Sequence, residues 1–185
     1  MVTFTIEPLS EKTWPALEDL FGPSGASSGC WCMYPRLGPN YWKRPREENW
    51  ADLEHLASTT PSSGLLAFDA DLCVGWCQVA PRTDLAWINQ RPMYGPATDE
   101  ETWAIPCFFV RRSHRHLGVT DALLEAAMPH AREAGATILE ACPVDTAIES
   151  HTRNMFPGIA STFARHGFQE VLRRRTDRPV MRLTL

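Results

Sequence analysis

The chain has 185 residues, a net charge of −4, 44% hydrophobic and 22% charged residues, the balance of an ordinary folded domain. At about 100–200 residues per domain, this is one domain over residues 1–185 that buries about two-thirds of its unfolded surface, which excludes a wholly disordered chain. Nucleic-acid binders lean basic, so an acidic balance argues against that class, and no apolar run approaches the ~20 residues of a membrane span.

Residues 1–12 show no basic stretch followed by an apolar core, so no secretory signal is expected. The six cysteines, Cys30, Cys32, Cys73, Cys77, Cys107 and Cys142, are then expected to be reduced thiols of a cytoplasmic protein. Cys30-Trp31-Cys32 invites a metal, but no second ligand pair with tetrahedral-site spacing follows, and no metal is expected.

Residues 2–6 (VTFTI) are β-branched and aromatic, a strand pattern. Ser10 is placed to cap a helix over residues 11–21, with Trp14, Leu17, Leu20 and Phe21 on one face. Residues 22–45 are rich in Gly, Pro and Ser and read as loop, yet they carry Trp31, Tyr34, Tyr41 and Trp42. Such a stretch is either a loop pinned by its rings or an aromatic pocket wall, with Trp31 and Tyr34 as candidate substrate-binding residues.

A second helix follows over residues 47–57, then a hairpin from strands 65–68 and 73–79. Residues 81–99 read as an irregular connection. Residues 102–110 (TWAIPCFFV) form a buried strand in which Pro106, with no N–H to donate, marks a bulge or an edge. A long helix over 117–134 contains Pro129, which is expected to kink or loosen it, and stops at Gly135. Strand 137–142, a short helix at 159–165 and strands 168–172 and 180–185 complete the chain. The unit 102–142 is a βαβ crossover, so its strands should be parallel in an otherwise antiparallel mixed α/β sheet.

Chemistry concentrates where the 102–110 strand runs through a basic turn into the long helix. A helix start presents unpaired N–H groups and partial positive charge, an anion site suited to phosphate. Gly118 would let a phosphate approach, and Arg111, Arg112, Arg115, His114 and His116 add cationic or donor character. A solvated basic turn is the plain alternative. Neither a P-loop nor a GxGxxG dinucleotide fingerprint is present.

Arg115-His-Leu-Gly118-Val-Thr120, after a strand ending at Val110, resembles the (Q/R)xxGx(G/A) motif of the GNAT acyltransferase superfamily, with Thr120 departing from the usual last residue. Gly75-Trp76-Cys77-Gln78 resembles a strand of that family's central hairpin. Phe163-Ala-Arg-His-Gly167-Phe168 is similar to its closing YxxxGF-like motif, so the likeness spans nearly the whole chain.

The resemblance implies a GNAT-type single domain with a splayed parallel pair, using acetyl-coenzyme A as acyl donor and no metal. The pyrophosphate would sit on Arg115, His116, Leu117, Gly118, Val119 and Thr120. The pantetheine arm would run along Phe108, Phe109 and Val110. The implied partner is a small-molecule amine, acetylated by direct attack on the thioester; no nucleic acid or membrane is involved, and a homodimer is left open.

The family's usual tyrosine acid is replaced by Phe163, so Ser161, Thr162 or water substitutes, or thiolate release needs no acid. Among Glu101, Glu140 and Asp145, Asp145 is the candidate catalytic proton acceptor, because it follows Pro143 where the strand exits. Three alternatives are a non-catalytic acyl-coenzyme A sensor or partner-binding module, an acyl-cysteine route through Cys107 or Cys142, and a zinc-assisted or redox role for Cys30 and Cys32. Gly118→Ala is expected to leave stability unchanged or slightly raised while weakening coenzyme A binding; a glycine that merely serves the turn makes the opposite forecast, that with a positive φ alanine destabilises the fold and leaves affinity alone.

Overall fold

A computed structural model describes residues 3–95 and 101–185. In chain order the elements are β1 (Thr5–Pro8), α1 (Trp14–Phe21), α2 (Tyr34–Leu37), α3 (Arg46–Ala57), β2 (Gly64–Asp69), β3 (Leu72–Pro81), α4 (Ala86–Asn89), β4 (Thr102–Val110), α5 (Val119–Glu133), β5 (Ile138–Ala141), α6 (Ala160–Arg165), β6 (Gln169–Arg175) and β7 (Arg178–Thr184). Short 3₁₀ turns punctuate the connections.

The strands form one seven-stranded sheet in the order β1-β2-β3-β4-β5-β7-β6. Every pairing is antiparallel except β4 with β5, which is parallel as the crossover requires. Strand β3 lies deep in the sheet, and Cys73 to Ala80 are all buried.

The two faces are covered differently. Cys77, Val79, Trp103, Ile105, Phe108 and Leu139 pack under α5, which presents Val119, Leu123, Leu124, Ala127 and Ala131 at helical spacing. Pro129 lies on the exposed side of α5, and the helix continues through it to Glu133. The carbonyl that Pro129 leaves without an N–H can face water there. On the other face Trp76 joins Trp14, Leu17, Phe21, Trp31, Cys32, Met33 and Leu53. A smaller cluster of Ala80, Leu85, Ile88, Tyr94, Ala104, Cys142 and Val180 continues that face toward β7.

Several boundaries moved. Helix α1 begins at Trp14 with Thr13 at its N-cap. Ser10 instead closes the preceding turn, exchanging hydrogen bonds with Thr13, whose hydroxyl also donates to the Pro8 carbonyl. The 22–45 stretch is irregular but contains α2 and 3₁₀ turns. It is held from beneath by buried Asn49, whose amide donates to the Gly29 and Tyr41 carbonyls at 2.8 and 2.9 Å and accepts from Arg44 at 2.7 Å. Val2 and the end of the expected 81–99 connection, with Asp99 and Glu100, lie outside the described residues.

Candidate active site

Strands β4 and β5 pair from Thr102↔Ile138 to Ile105↔Ala141 and then part. The cause is local. Gln78 faces Cys107 but Ala80 faces Ala104, so the single residue Val79 stands opposite both Ile105 and Pro106. This is the bulge expected at Pro106, and it bends β4 at the point where β5 gives way to Cys142-Pro143.

Beyond the bulge β4 keeps its partner on one side only. Arg111 N–H donates to the Val74 carbonyl at 2.8 Å, so the odd-numbered residues bond toward β3. Phe108 N–H points the other way, into the opening between the strands, and donates to the Phe156 carbonyl at 2.6 Å. By the same alternation Val110 N–H faces the opening while Phe109 pairs with β3. Residues 156–159 reach across: Val144 N–H donates to Gly158 at 2.9 Å, and Val144 bridges Ile159 in parallel.

The opening leads to the start of α5. Gly118 is the N-cap, with φ +89°, and a side chain added to it would meet nothing within 4 Å, so its outer side is free for close approach. The positive φ corrects the expectation for Gly118→Ala. Alanine is strained at this left-handed position, so the substitution destabilises the fold rather than leaving it unchanged. His116 also has positive φ, +63°, and Arg115, His116 and Leu117 are exposed. Val119 is buried against the sheet, and Thr120 is half-buried in the first turn.

The basic turn divides by use. Arg111 pairs with Asp19 at 2.6 Å and donates to the Cys73 carbonyl. His114 contacts Asp69 at 3.3 Å, and Arg115 donates weakly to the Val110 carbonyl at 3.4 Å. Arg112 is exposed and makes no ion pair with the described residues. Asp121, in the first turn of α5, is held by Arg165 and His166 at 2.8 and 3.0 Å, which ties the closing motif to the helix start. Desolvation pushes its carboxyl up, but those two partners leave it below the usual carboxylate range.

Phe163 is fully buried, with ring centroids 6.1 Å from Phe108 and 5.1 Å from Phe168. It offers packing and no proton. Glu140 is 1% exposed and bonded to Arg82 at 2.7 Å and Arg182 at 2.5 Å, which makes it a structural carboxylate. Glu101 is exposed at the far end of β4 and accepts from Thr137. Asp145 follows the end of β5, and its carboxylate is bound to Arg173 at 2.9 Å and accepts Ala147 N–H.

Trp31 is corrected as a substrate-facing ring. It is 5% exposed and packs against Trp14 and Phe21 at 6.0 and 5.6 Å, over Gly25, where a Cβ would lie 2.3 Å from its Nε1. Its own left-handed backbone, φ +41°, turns it inward. Tyr34 remains exposed on α2, 6.1 Å from the Tyr41 ring, and Trp42 stacks on Tyr41 in the open. Sequence reasoning missed Arg82, which is 1% exposed and binds Glu140, Asn89 and the Gly95 carbonyl. An arginine just after a buried strand was the only signal.

A groove lined by Pro8, Ser10, Lys12, Thr59, Ser62 and His130 opens beside the end of β1 and the C-terminal part of α5, and none of these groups lines it. Among the described residues no group of three His, Cys, Asp or Glu side chains is arranged to hold a metal, and no helix is long and apolar enough to cross a membrane.

The sequence matches the profile of the Acetyltransferase (GNAT) family over residues 28–156. With more than half of the chain matched, the protein belongs to the GNAT acetyltransferase family. No curated relative matches it. The fold is similar to that of PaiA N-acetyltransferase from Thermoplasma acidophilum in complex with coenzyme A, at TM-score 0.58 and 12% identity over 99% of each chain. It is also similar to YncA from Salmonella typhimurium with acetyl-coenzyme A (TM-score 0.57, 15% identity, 98% of this chain and 94% of that one). The GNAT domain of S. lividans PAT superposes at TM-score 0.60 with 15% identity over 98% of this chain and 90% of that one.

Proposed function

We propose that residues 1–185 form one N-acetyltransferase domain that moves an acetyl group from acetyl-coenzyme A to a primary amine of a small molecule. The observation that carries this reading is the bulged, half-open edge of β4, with Phe108 N–H aimed into the opening beside the N-terminus of α5. That edge supports a pantetheine arm along Phe108–Val110, and the Arg115–Thr120 turn supports the pyrophosphate. The Phe156 carbonyl holds the first of these N–H groups until the arm replaces it. Two similar structures hold coenzyme A or acetyl-coenzyme A, which supports this donor.

In this reading the amine loses its proton and attacks the thioester carbon directly. A backbone N–H of the open edge stabilises the oxyanion, and coenzyme A leaves as a thiolate that water protonates. Asp145 receives the amine proton through water, and Tyr34 lines the acceptor side. Asp145→Asn with unchanged turnover and pH profile withdraws that role.

A second reading, an acyl-coenzyme A sensor, is favoured by Phe163 in the acid position and by the engaged Phe108 N–H. The two separate in one experiment. Thiol release from acetyl-coenzyme A is followed with amino acids, polyamines, aminoglycosides and peptide N-termini, beside melting curves with coenzyme A alone. Release with one amine class supports the enzyme; stabilisation without release supports the sensor. Gly118→Ala is expected to weaken coenzyme A binding and to cost about 1 kcal/mol of stability. Gly118→Val is expected to abolish binding in calorimetric titration, and unchanged affinity there overturns the phosphate-turn assignment.

A further inference from the structure

The Cys30-Trp31-Cys32 motif plays no part in the acyl-transfer reading, yet the fold treats it in an unusual way. Trp31 and Cys32 are consecutive non-glycine residues in the left-handed region, at φ +41° and +51°. Such a residue is strained and persists only when its surroundings over-determine it. What this backbone achieves is a meeting of sulfur atoms. Cys32 Sγ lies 3.9 Å from Cys107 Sγ, across a sequence separation of 75 residues. Trp76 Nε1 donates to Cys32 Sγ at 3.1 Å, and Gln78 Nε2 donates to the Cys32 carbonyl at 3.2 Å, fixing the residue from two sides.

Cys107 is the first residue of β4 beyond the bulge, half-buried beside the opening between the strands. Cys30 is half-buried as well. A hydrogen bond from the Cys32 side chain outweighs desolvation and brings the Cys30 thiol down to about 7, so much of it is thiolate near neutral pH. The remaining thiols are set apart. Burial pushes Cys73 up to about 12 and also raises Cys77 and Cys142. Within the cluster of Cys30, Cys32 and Cys107, the Cys32 thiol is itself raised, by its hydrogen bonds to Cys107 and Cys30 and by burial, so the ready thiolate belongs to Cys30, with the other sulfurs beside it.

We propose that Cys30, Cys32 and Cys107 form a peroxide-reactive thiol site whose product is a reversible Cys32–Cys107 disulfide linking the 22–45 stretch to β4. The Cys30 thiolate attacks a hydroperoxide oxygen: an S–O bond forms, the O–O bond breaks, and hydroxide leaves and is protonated to water. Cys32 then attacks the Cys30 sulfenic sulfur, forming an S–S bond and releasing a second water that carries the Cys32 proton. Cys107, giving its proton to solvent, attacks the Cys32 sulfur and expels Cys30 as thiolate. Two thiols and one hydrogen peroxide become one disulfide and two waters. The final exchange moves the bond from neighbours two residues apart to the pair already aligned across the fold, and about 2 Å of approach closes it.

The site stands apart from acyl transfer, and its test reads mass rather than turnover. The purified full chain is treated with hydrogen peroxide, the remaining thiols are alkylated, and the cysteine peptides are mapped with and without dithiothreitol. The expected result is loss of two hydrogens per chain, a cross-link between the Cys32 and Cys107 peptides, and full reversal by dithiothreitol. Cys30→Ser is expected to slow cross-linking about tenfold or more, since a buried thiol without thiolate character reacts slowly. Cys107→Ser is expected to stop oxidation at a Cys30–Cys32 bond. Cys32 and Cys107 both remaining alkylatable after peroxide overturns the proposal. So does oxygen added to Cys30 with no cross-link in the wild-type chain, a result that requires no variant to fold.

Discussion

The two faces of the sheet bury comparable apolar cores by different means. Under α5 the contacts are aliphatic and regular, one helix laying Leu123, Leu124, Ala127 and Ala131 on β2, β3 and β4. The opposite face is covered by short helices, 3₁₀ turns and left-handed residues, and its order comes from directional bonds. Asn49 holds two carbonyls of the 22–45 stretch, Arg82 joins Glu140 to the Gly95 carbonyl, and Trp76 and Gln78 grip Cys32. A periodic helix seats itself through area alone. An irregular cover has many ways of burying the same area, so polar contacts must select one of them.

That contrast can be broken most forcefully at Arg82. Arg82→Ala leaves Glu140 buried with only the half-exposed Arg182 and removes the donor to the Gly95 carbonyl, and it is expected to cost on the order of 3–5 kcal/mol in urea unfolding. Arg82→Lys should recover only part, because one ammonium cannot reproduce the fork to Asn89, Glu140 and Gly95. Leu123→Ala probes the other face, where a cavity under α5 should cost about 2–4 kcal/mol. It should do so without altering alkylation of Cys30, whose surroundings belong to the opposite cluster.

Asn49→Ala is the next step down. It strands the Gly29 and Tyr41 carbonyls and should cost about 2 kcal/mol. Here the alkylation rate of Cys30 should change, because the stretch that positions the thiols loses its support. Equal effects of Leu123→Ala and Asn49→Ala on that rate would erase the distinction between the faces.

The smallest expected effect lies where the β6–β7 turn meets the loop that follows β5. Asp177 accepts Thr152 N–H at 2.8 Å, and this bond, with Arg175 and Arg178 nearby, outweighs desolvation and holds its carboxyl below the ordinary 3.8. A carboxyl depressed in the folded state favours folding when ionised. Its contribution is therefore present above pH ~4 and is lost as pH falls through the lower folded value. Asp177→Asn should lower the urea midpoint slightly at neutral pH, and the difference from wild type should vanish toward pH ~2–3.

The regular parts of this protein were legible in its sequence. The amphipathic period of α5, the β-branched strands, the βαβ crossover and the bulge at Pro106 depend on local chemistry and periodicity, and residues 102–110 form a strand over the expected span. The helix start after the basic turn was readable for the same reason, since Gly118 and the apolar period that follows it are local features. Gly118 shows where that stops. Its residue type marked the turn, but only the backbone path into α5 set its φ to +89° and reversed the expectation for alanine. Trp31 and Asp145 show the same limit, because a ring faces in or out, and a carboxylate is free or paired, according to what the rest of the chain places beside it. The Arg82–Glu140–Arg182 network and the meeting of Cys32 with Cys107 join residues far apart in sequence through side chains. Neither carries a period or a spacing in the sequence, and both became definite only when the tertiary structure brought the irregular cover down onto the sheet.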